Sequence, residues 1–528
     1  MFDLLIKNAT IIDGTGAKGW QGDAAVRDGR FAVIARRVDG AAVRHIDAQG
    51  LVLAPGFIDV HCHSDVALLD EPRAEIKVRQ GVTLEVIGNC GASLAPLEPE
   101  SRADVLNDVV ADLGRLKRPI AWLSYADYAA VLDQTGLAIN VMGLVGHGTL
   151  RIAALGYSDR SPDKSQMSRM CALLAAALEQ GACGLSTGLI YPPGCFAATP
   201  ELIDLAGVLR SQRGFYASHM RNEAEKVLEA VDEVIRIGRQ AHVPVHISHL
   251  KVAGKKNWHL ADQVAAKIES ARARGVDITC DVYPYFCSGT TMLALLPPWS
   301  LEGGVPALIA RLNAPRQRER IIGHIKEGIP GWENMYHNCG WDKIVVSSVK
   351  TEAHKHLEGR SVARLAAEGE RDPFEMVLDL IAAEEGAVSI VAESMREENV
   401  ARFIALPFAM IGSDGAPTSG RPHPRLYGTF PRVIRRFVRE LGTLTLPEAV
   451  HKMTGLTAQR LGLNDRGTMA VGGRADAVLF DPHRFSDTAT YENPRSYPEG
   501  LQAVLVNGQV VIDGRTYTGA VPGRFQRA

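Results

Sequence analysis

The chain has 528 residues, 46% hydrophobic and 22% charged, with 58 lysines and arginines against 60 aspartates and glutamates and a net charge of −2. This is the balance of a folded globular chain and excludes disordered and fibrous classes. Near neutrality gives no handle to nucleic acid or an anionic membrane, so the expected partner is a small-molecule substrate, and a homo-oligomer is compatible with it.

The N-terminus, MFDLLIKNATIIDGTG, lacks the basic start and long apolar stretch of a secretory leader. No uncharged apolar run approaches the roughly 20 residues that span a bilayer. The eight cysteines are sparse and form no CxxC pair. No disulfide scaffold is expected, and the cytoplasm is the expected compartment.

Residues 2–53 alternate short Val/Ile/Leu runs with Asp-Gly, Asn and Gly turns, the pattern of small strands and tight hairpins. The last 60 residues repeat it, with Asn507-Gly508 and Asp513-Gly514 as hairpin turns. Neither end alone buries much, so one β-rich subdomain built from both is expected, with its parts at 1–54 and 466–528.

The middle, 55–465, alternates strand-like runs with amphipathic helices. Eight strand candidates appear, at 56–63, 83–91, 139–148, 184–190, 214–220, 243–250, 276–285 and 408–415. Between them the 3.6-residue period predicts helices over 165–180 and 223–240. Eight strand–helix units at near-constant spacing predict an α/β fold, a (β/α)8 TIM-like barrel. An open doubly wound sheet is the alternative, but no Gly-rich phosphate turn follows the first strand. At about 286–345 the alternation dissolves into turns, Pro297-Pro298 and three of the six tryptophans. An excursion of that length after strand seven predicts a lid-like insertion.

Chemistry-bearing residues gather where barrel sites form, at the C-terminal strand ends. Strand one ends in His61-Cys62-His63, whose imidazoles alternate onto one side and suit a divalent ion. Strand two ends in Asn89-Cys90, strand five in His219, strand six in His246 and His249, and strand eight in Asp414. His246 reads as a structural or supporting group and His242 as a solvated one.

GFIDVHCHSD (56–65), GVTLEVIGNCG (81–91), VGHGTLR (145–151), GLSTGLIYPPG (184–194), SHMRNE (218–223), HISHLK (246–251), DVYPY (281–285) and IGSDG with HPRLYGTFPRV (411–433) together resemble the N-acyl-D-amino-acid deacylase (D-aminoacylase) family of the amidohydrolase superfamily. The resemblance covers nearly the whole chain. It implies zinc-dependent hydrolysis of the amide bond of N-acyl-D-amino acids. Many relatives carry a carboxylated lysine on strand four; here that strand has none, and Cys90 offers an anionic ligand instead. By the resemblance, Cys90, His219 and His249 hold one tight Zn2+, while His61, His63 and Asp414 line a second, weaker position. The same likeness makes Asp414 the general base and acid. It assigns Lys251, Tyr283 and Arg425 to the substrate α-carboxylate, with Tyr191 and Ser288 also in the substrate site. The start of the insertion, Cys287 to Leu296, carries no cation, which predicts neutral or hydrophobic D-side chains. The competing readings are a hydantoinase-like or dihydroorotase-like cyclic amidase, which usually needs the missing lysine, and a scaffold without catalysis, which predicts missing ligands.

Overall fold

The computed structural model describes residues 1–105, 119–211 and 214–528. All eight central candidates contain a strand, in order Phe57–Asp59, Val82–Ile87, Asn140–Gly143 running on to Val145–Gly146, Gly184–Gly188, Phe215–His219, Val245–Ile247, Ile278–Val282 and Ala409–Ile411. Each pairs in parallel with the next. The third strand pairs the second through residues 140–143 and the fourth through 145–146, so it links two sheet segments. The ring closes between strands eight and one through the parallel bridge Cys62–Gly415, with Asp414 N donating to His61 O at 2.7 Å and His63 N to Gly415 O at 3.0 Å. The fold is therefore the expected (β/α)8 barrel, with regular strand segments mostly shorter than their sequence runs because each apolar run continues into a site loop.

The helices cover the barrel through one apolar face. Lys164–Glu179 begins at a capping box made by Asp163 and Gln166. Val227–Ala241 buries Val227, Ala230, Val231, Val234, Ile237 and Gly238, a stripe of period 3.6. Burying each large aliphatic side chain there contributes about 1.5–3 kcal/mol. A Cβ on Gly238 would meet Val245 Cγ1 at 2.9 Å, so that helix lies directly on strand six. It starts later than the period predicts, because Asn222 Oδ1 accepts from both Ala224 N and Lys226 N and holds 222–226 in a turn.

Both termini build one nine-stranded sheet. Phe2–Ile11 pairs with Trp20–Arg27, Ala42–Asp47 and Val52–Pro55, and Val52–Pro55 pairs antiparallel with Ala477–Phe480. Asn507-Gly508, both at positive φ (48° and 82°), make the expected hairpin turn between Leu501–Val506 and Gln509–Asp513.

The insertion has its own antiparallel sheet, Cys287–Thr291, Val388–Glu393 and Ile344–Val349. Its structure thus runs past the expected end near 345, since Ile344–Val349 is paired by Val388–Glu393. A separate core of Met292, Leu308, Ile321, Val346, Leu378, Ile381 and Ile390 fills it. The tryptophans serve that core: Trp341 packs on Tyr336 and Phe374, and Trp299 on His324.

Candidate metal centre

The barrel's C-terminal mouth opens on a cavity between the strand ends and the insertion sheet. On its floor His61 Nε2, Cys90 Sγ, His249 Nε2 and an Asp414 oxygen meet. Cys90 Sγ lies 3.3 Å from His61 Nε2 and 3.5 Å from His249 Nε2, and Asp414 Oδ1 is 3.4 Å from His61 Nε2 and 3.1 Å from His63 Nε2. The ligand atoms of His61, Cys90, His249 and Asp414 all lie within 4.8 Å of one another, and so do those of His219, Glu223 and His249. His219 and His249 stand edge to face with centroids 4.4 Å apart. All six residues expected to bind metal are therefore brought together.

The backbone is bent to do this. Cys90, His249 and Asp414 have φ of 52°, 37° and 48°. L-residues adopt that left-handed region rarely, and each instance costs of order 1–3 kcal/mol. Three such residues each turn a side chain inward where a strand would continue upward. Glycines make the room: a Cβ on Gly188 would collide with Cys90 O, and one on Gly412 would meet both Asp281 Oδ1 and His61 Cβ at 2.7 Å.

Carboxylates orient the imidazoles from behind. His61 Nδ1 faces Asp281 Oδ2 at 3.2 Å, and His249 Nδ1 faces Glu223 Oε1 at 3.1 Å and Lys251 Nζ at 2.7 Å, which turns each Nε2 to the centre. His246 also binds Asp281, at 2.9 Å, and Thr279 at 2.8 Å, so it supports rather than joins the centre. His242 is exposed at a helix end. Glu223 and Asp281 are site residues that sequence reasoning did not pick out as such. Glu223 lies within SHMRNE, in the turn after strand five and ahead of the helix that begins at Val227, where no periodicity points at the site.

Burial raises the Cys90 thiol, but His61 and His249 outweigh it and hold it well below its usual range. Burial likewise raises Asp414, yet Arg425, His249 and His61 keep its carboxyl well below the usual carboxylate range. A thiolate, a carboxylate and several imidazoles on one small volume form a borderline-soft donor set suited to zinc. Among the described residues, both ring nitrogens of buried His219 and Nδ1 of His63 have no hydrogen-bond partner, an arrangement that costs free energy unless something accepts their lone pairs or protons. The donor set fits a divalent metal.

The expected substrate residues line the same cavity. Arg425, 3% exposed, places Nη1 2.7 Å from Asp414 Oδ2 and donates from Nη2 to Gly289 O at 3.0 Å. Tyr283 lies between the cations, its ring 4.6 Å from the Arg425 guanidinium carbon and 5.7 Å from Lys251 Nζ, with a buried hydroxyl that has no hydrogen-bond partner among the described residues. Tyr191 shares a 2.8 Å hydrogen bond with Thr290 and packs on His219. Ser288 lines the insertion wall. Lys251 differs from the free anchor the sequence suggests, because Glu223 is its counter-ion. Glu333, from the insertion, also faces the cavity and accepts from Glu223 N at 2.5 Å.

Comparison with known proteins gives a consistent set. Residues 44–512 match the amidohydrolase family. D-aminoacylase of Alcaligenes xylosoxydans xylosoxydans is 38% identical over 99% of this chain and 97% of its own length. The N-acyl-D-aspartate deacylase and N-acyl-D-glutamate deacylase of the same organism are 37% and 36% identical over 99% and 97% of this chain, covering 94% and 93% of their own lengths. Among solved structures, D-aminoacylase with its binuclear metal centre superposes with a TM-score of 0.85 at 36% identity, each chain fully covered. N-acyl-D-glutamate deacylase of Bordetella bronchiseptica, complexed with zinc and a phosphonate inhibitor, gives 0.84 at 34% identity, again with full coverage of both chains.

Proposed function

We propose, since the chain belongs to the amidohydrolase family and within it to the N-acyl-D-amino-acid deacylases, that it is a metal-dependent hydrolase of the linear amide bond of N-acyl-D-amino acids. Water adds to the acyl carbon, the C–N bond breaks, and a carboxylate and a free D-amino acid leave. The observation that carries this reading is the convergence of His61, Cys90, His249 and Asp414 on one point.

We assign Cys90, His219 and His249 to a tight zinc site and His61, His63 and Asp414 to a second, weaker position, with Cys90 on their shared edge beside His61. Bound there, zinc supplies Lewis acidity and lowers the pKa of water from about 15.7 to about 7. Asp414, buried and ionised, takes the proton from the attacking water and passes it to the departing amine. Arg425 and the Tyr283 hydroxyl, which has no partner among the described residues, receive the substrate α-carboxylate, with Lys251 behind them. Tyr191 and Ser288 bound the rest of the substrate.

The side chain accepted follows from charge. Besides histidine, the cations lining the cavity among the described residues are Lys251 and Arg425, and both already face a carboxylate. Glu333 adds an acidic group to the wall. The α-carboxylate takes up these two cations, so a second carboxylate on the substrate would find no further one, which favours neutral D-residues. Overall identity does not decide this, since the aspartate and glutamate deacylases are nearly as similar as D-aminoacylase. The cyclic-amidase reading has less behind it: D-hydantoinase is 23% identical, and L-hydantoinase, at 15% identity and a TM-score of 0.56, shares the fold alone.

The test is a turnover screen of N-acetyl-D- and N-acetyl-L-methionine, leucine, aspartate and glutamate, with hydantoin alongside and zinc quantified in the same preparation. The expected result is turnover of neutral D-substrates at least tenfold above D-aspartate and D-glutamate, and none of the L-series or hydantoin. Hydantoin opening without linear turnover would overturn the reaction; equal turnover of N-acetyl-D-glutamate would overturn the charge argument.

A further inference from the structure

The closing seam of the barrel, between strands one and eight, lacks the regular ladder found at the other seven junctions. One isolated bridge, Cys62–Gly415, lies beyond the ends of both strands. Side chains do the joining below it. Asp59, at the end of strand one, accepts Ser413 N through Oδ1 at 2.8 Å. Its other oxygen accepts from Lys77 Nζ at 2.6 Å. The same ammonium donates to Ser413 Oγ at 2.8 Å and lies 3.7 Å from Glu85 Oε2. Ser413 Oγ in turn faces His61 O at 3.3 Å and accepts Gly415 N at 3.1 Å.

Lys77 is 2% exposed and comes from the short helix Glu75–Val78, outside both strands. Burying an ammonium costs several kcal/mol unless it is paired and hydrogen-bonded. Here its partners tie strand one to the turn that carries Asp414. That residue needs such a tie, since its φ of 48° is an unfavourable conformation held by its surroundings.

We propose that Lys77 is a positioning residue for Asp414: through Asp59 and Ser413 it fixes the strand-one to strand-eight seam, and so places the Asp414 carboxylate between His61, His63 and Arg425. It touches neither substrate nor metal. The proposal rests on Asp414 serving as the base.

The experiment compares Lys77→Met, Lys77→Arg, Ser413→Ala and Asp414→Asn as full-length, zinc-loaded proteins on N-acetyl-D-methionine. Methionine keeps the stem and removes the ammonium. The expected result for Lys77→Met is a fall in kcat of at least tenfold, with KM within threefold and zinc content equal to wild type. Arginine restores the charge and should recover most of the kcat. Ser413→Ala breaks the tie without removing a charge, and should lower kcat about fivefold with KM and zinc unchanged; it decides the question if Lys77→Met does not fold. Wild-type kcat in folded Lys77→Met or in Ser413→Ala would overturn the proposal, as would a loss expressed in KM or zinc content. Asp414→Asn separates the two readings: full activity there removes the base itself, whereas loss there beside an unaffected Lys77→Met removes only the positioning role.

Discussion

Lys251 Nζ donates to both oxygens of Glu223, at 2.7 and 2.9 Å, and the same carboxylate stands 3.1 Å from His249 Nδ1. Glu223 thus serves two neighbours. Burial raises its pKa, but Lys251 and the two histidines outweigh that and leave it at about 2, so it is ionised. Lys251 Nζ also lies 2.7 Å from His249 Nδ1, so Glu223 and the ammonium it accepts from together hold the back of the ring while Nε2 faces the centre.

Glu223→Gln weakens that acceptor and leaves Lys251 without its counter-ion. Supporting carboxylates of this kind are worth about 10–100-fold in metal affinity. The variant should lose zinc at a chelator concentration about 10-fold below the one that strips the wild type. Metal analysis after dialysis against graded chelator measures this, and identical retention would separate Glu223 from the metal.

Cys90→Ala tests the thiolate directly. The thiol is drawn well below its usual range, burial notwithstanding, by His61 and His249. Alanine removes the soft anionic donor at the edge of the cluster while leaving every imidazole in place. Zinc should fall below a tenth of an equivalent and turnover of N-acetyl-D-methionine below a hundredth of wild type. Retained zinc and activity would remove Cys90 from the ligand set.

The strand ends were legible in the sequence because each apolar run finishes on a polar residue, and a closed barrel sends all such ends to one rim. His61, Cys90, His219, His249 and Asp414 could be placed that way. Their partners could not. Glu223 follows strand five in a turn, and Glu333 sits in the insertion; neither position has a period that points at the site. The pairing of Lys251 with Glu223 is a contact between the loops of two strands, so the lysine reads as free until the fold is known. The insertion sheet was hidden for a related reason. Val388–Glu393 sits between helices, as a barrel strand would, and only its antiparallel pairing with Ile344–Val349 and Cys287–Thr291 removes it from the ring.

Arg425→Lys tests the carboxylate anchor. The guanidinium spans two partners, Asp414 Oδ2 at 2.7 Å and Gly289 O at 3.0 Å, and lies over the Tyr283 ring. Lysine keeps the charge but presents a single point donor on a flexible stem, so it cannot reproduce the fork. KM for N-acetyl-D-methionine should rise about tenfold, with a smaller fall in kcat. An unchanged KM would assign the α-carboxylate to Lys251 and Tyr283 alone.

Glu333 links the insertion to stability through pH. Burial, reinforced by the charge of Glu223, pushes its carboxyl up to about 8 from an ordinary 4.5. Between those values the folded protein holds a proton that the unfolded chain has released. Stability therefore falls as pH rises through that window, the opposite sign to a salt-bridged carboxylate. Glu333→Gln keeps an oxygen to accept Glu223 N and removes the titration. Wild type and variant should have the same Tm near pH 4.5, and the variant should be the more stable of the two at pH 8. All other titrating groups are common to both proteins and cancel in the difference. Melting curves at pH 5, 6.5 and 8 read it out, and parallel Tm–pH lines would mean that Glu333 is ionised in the folded protein across the whole range.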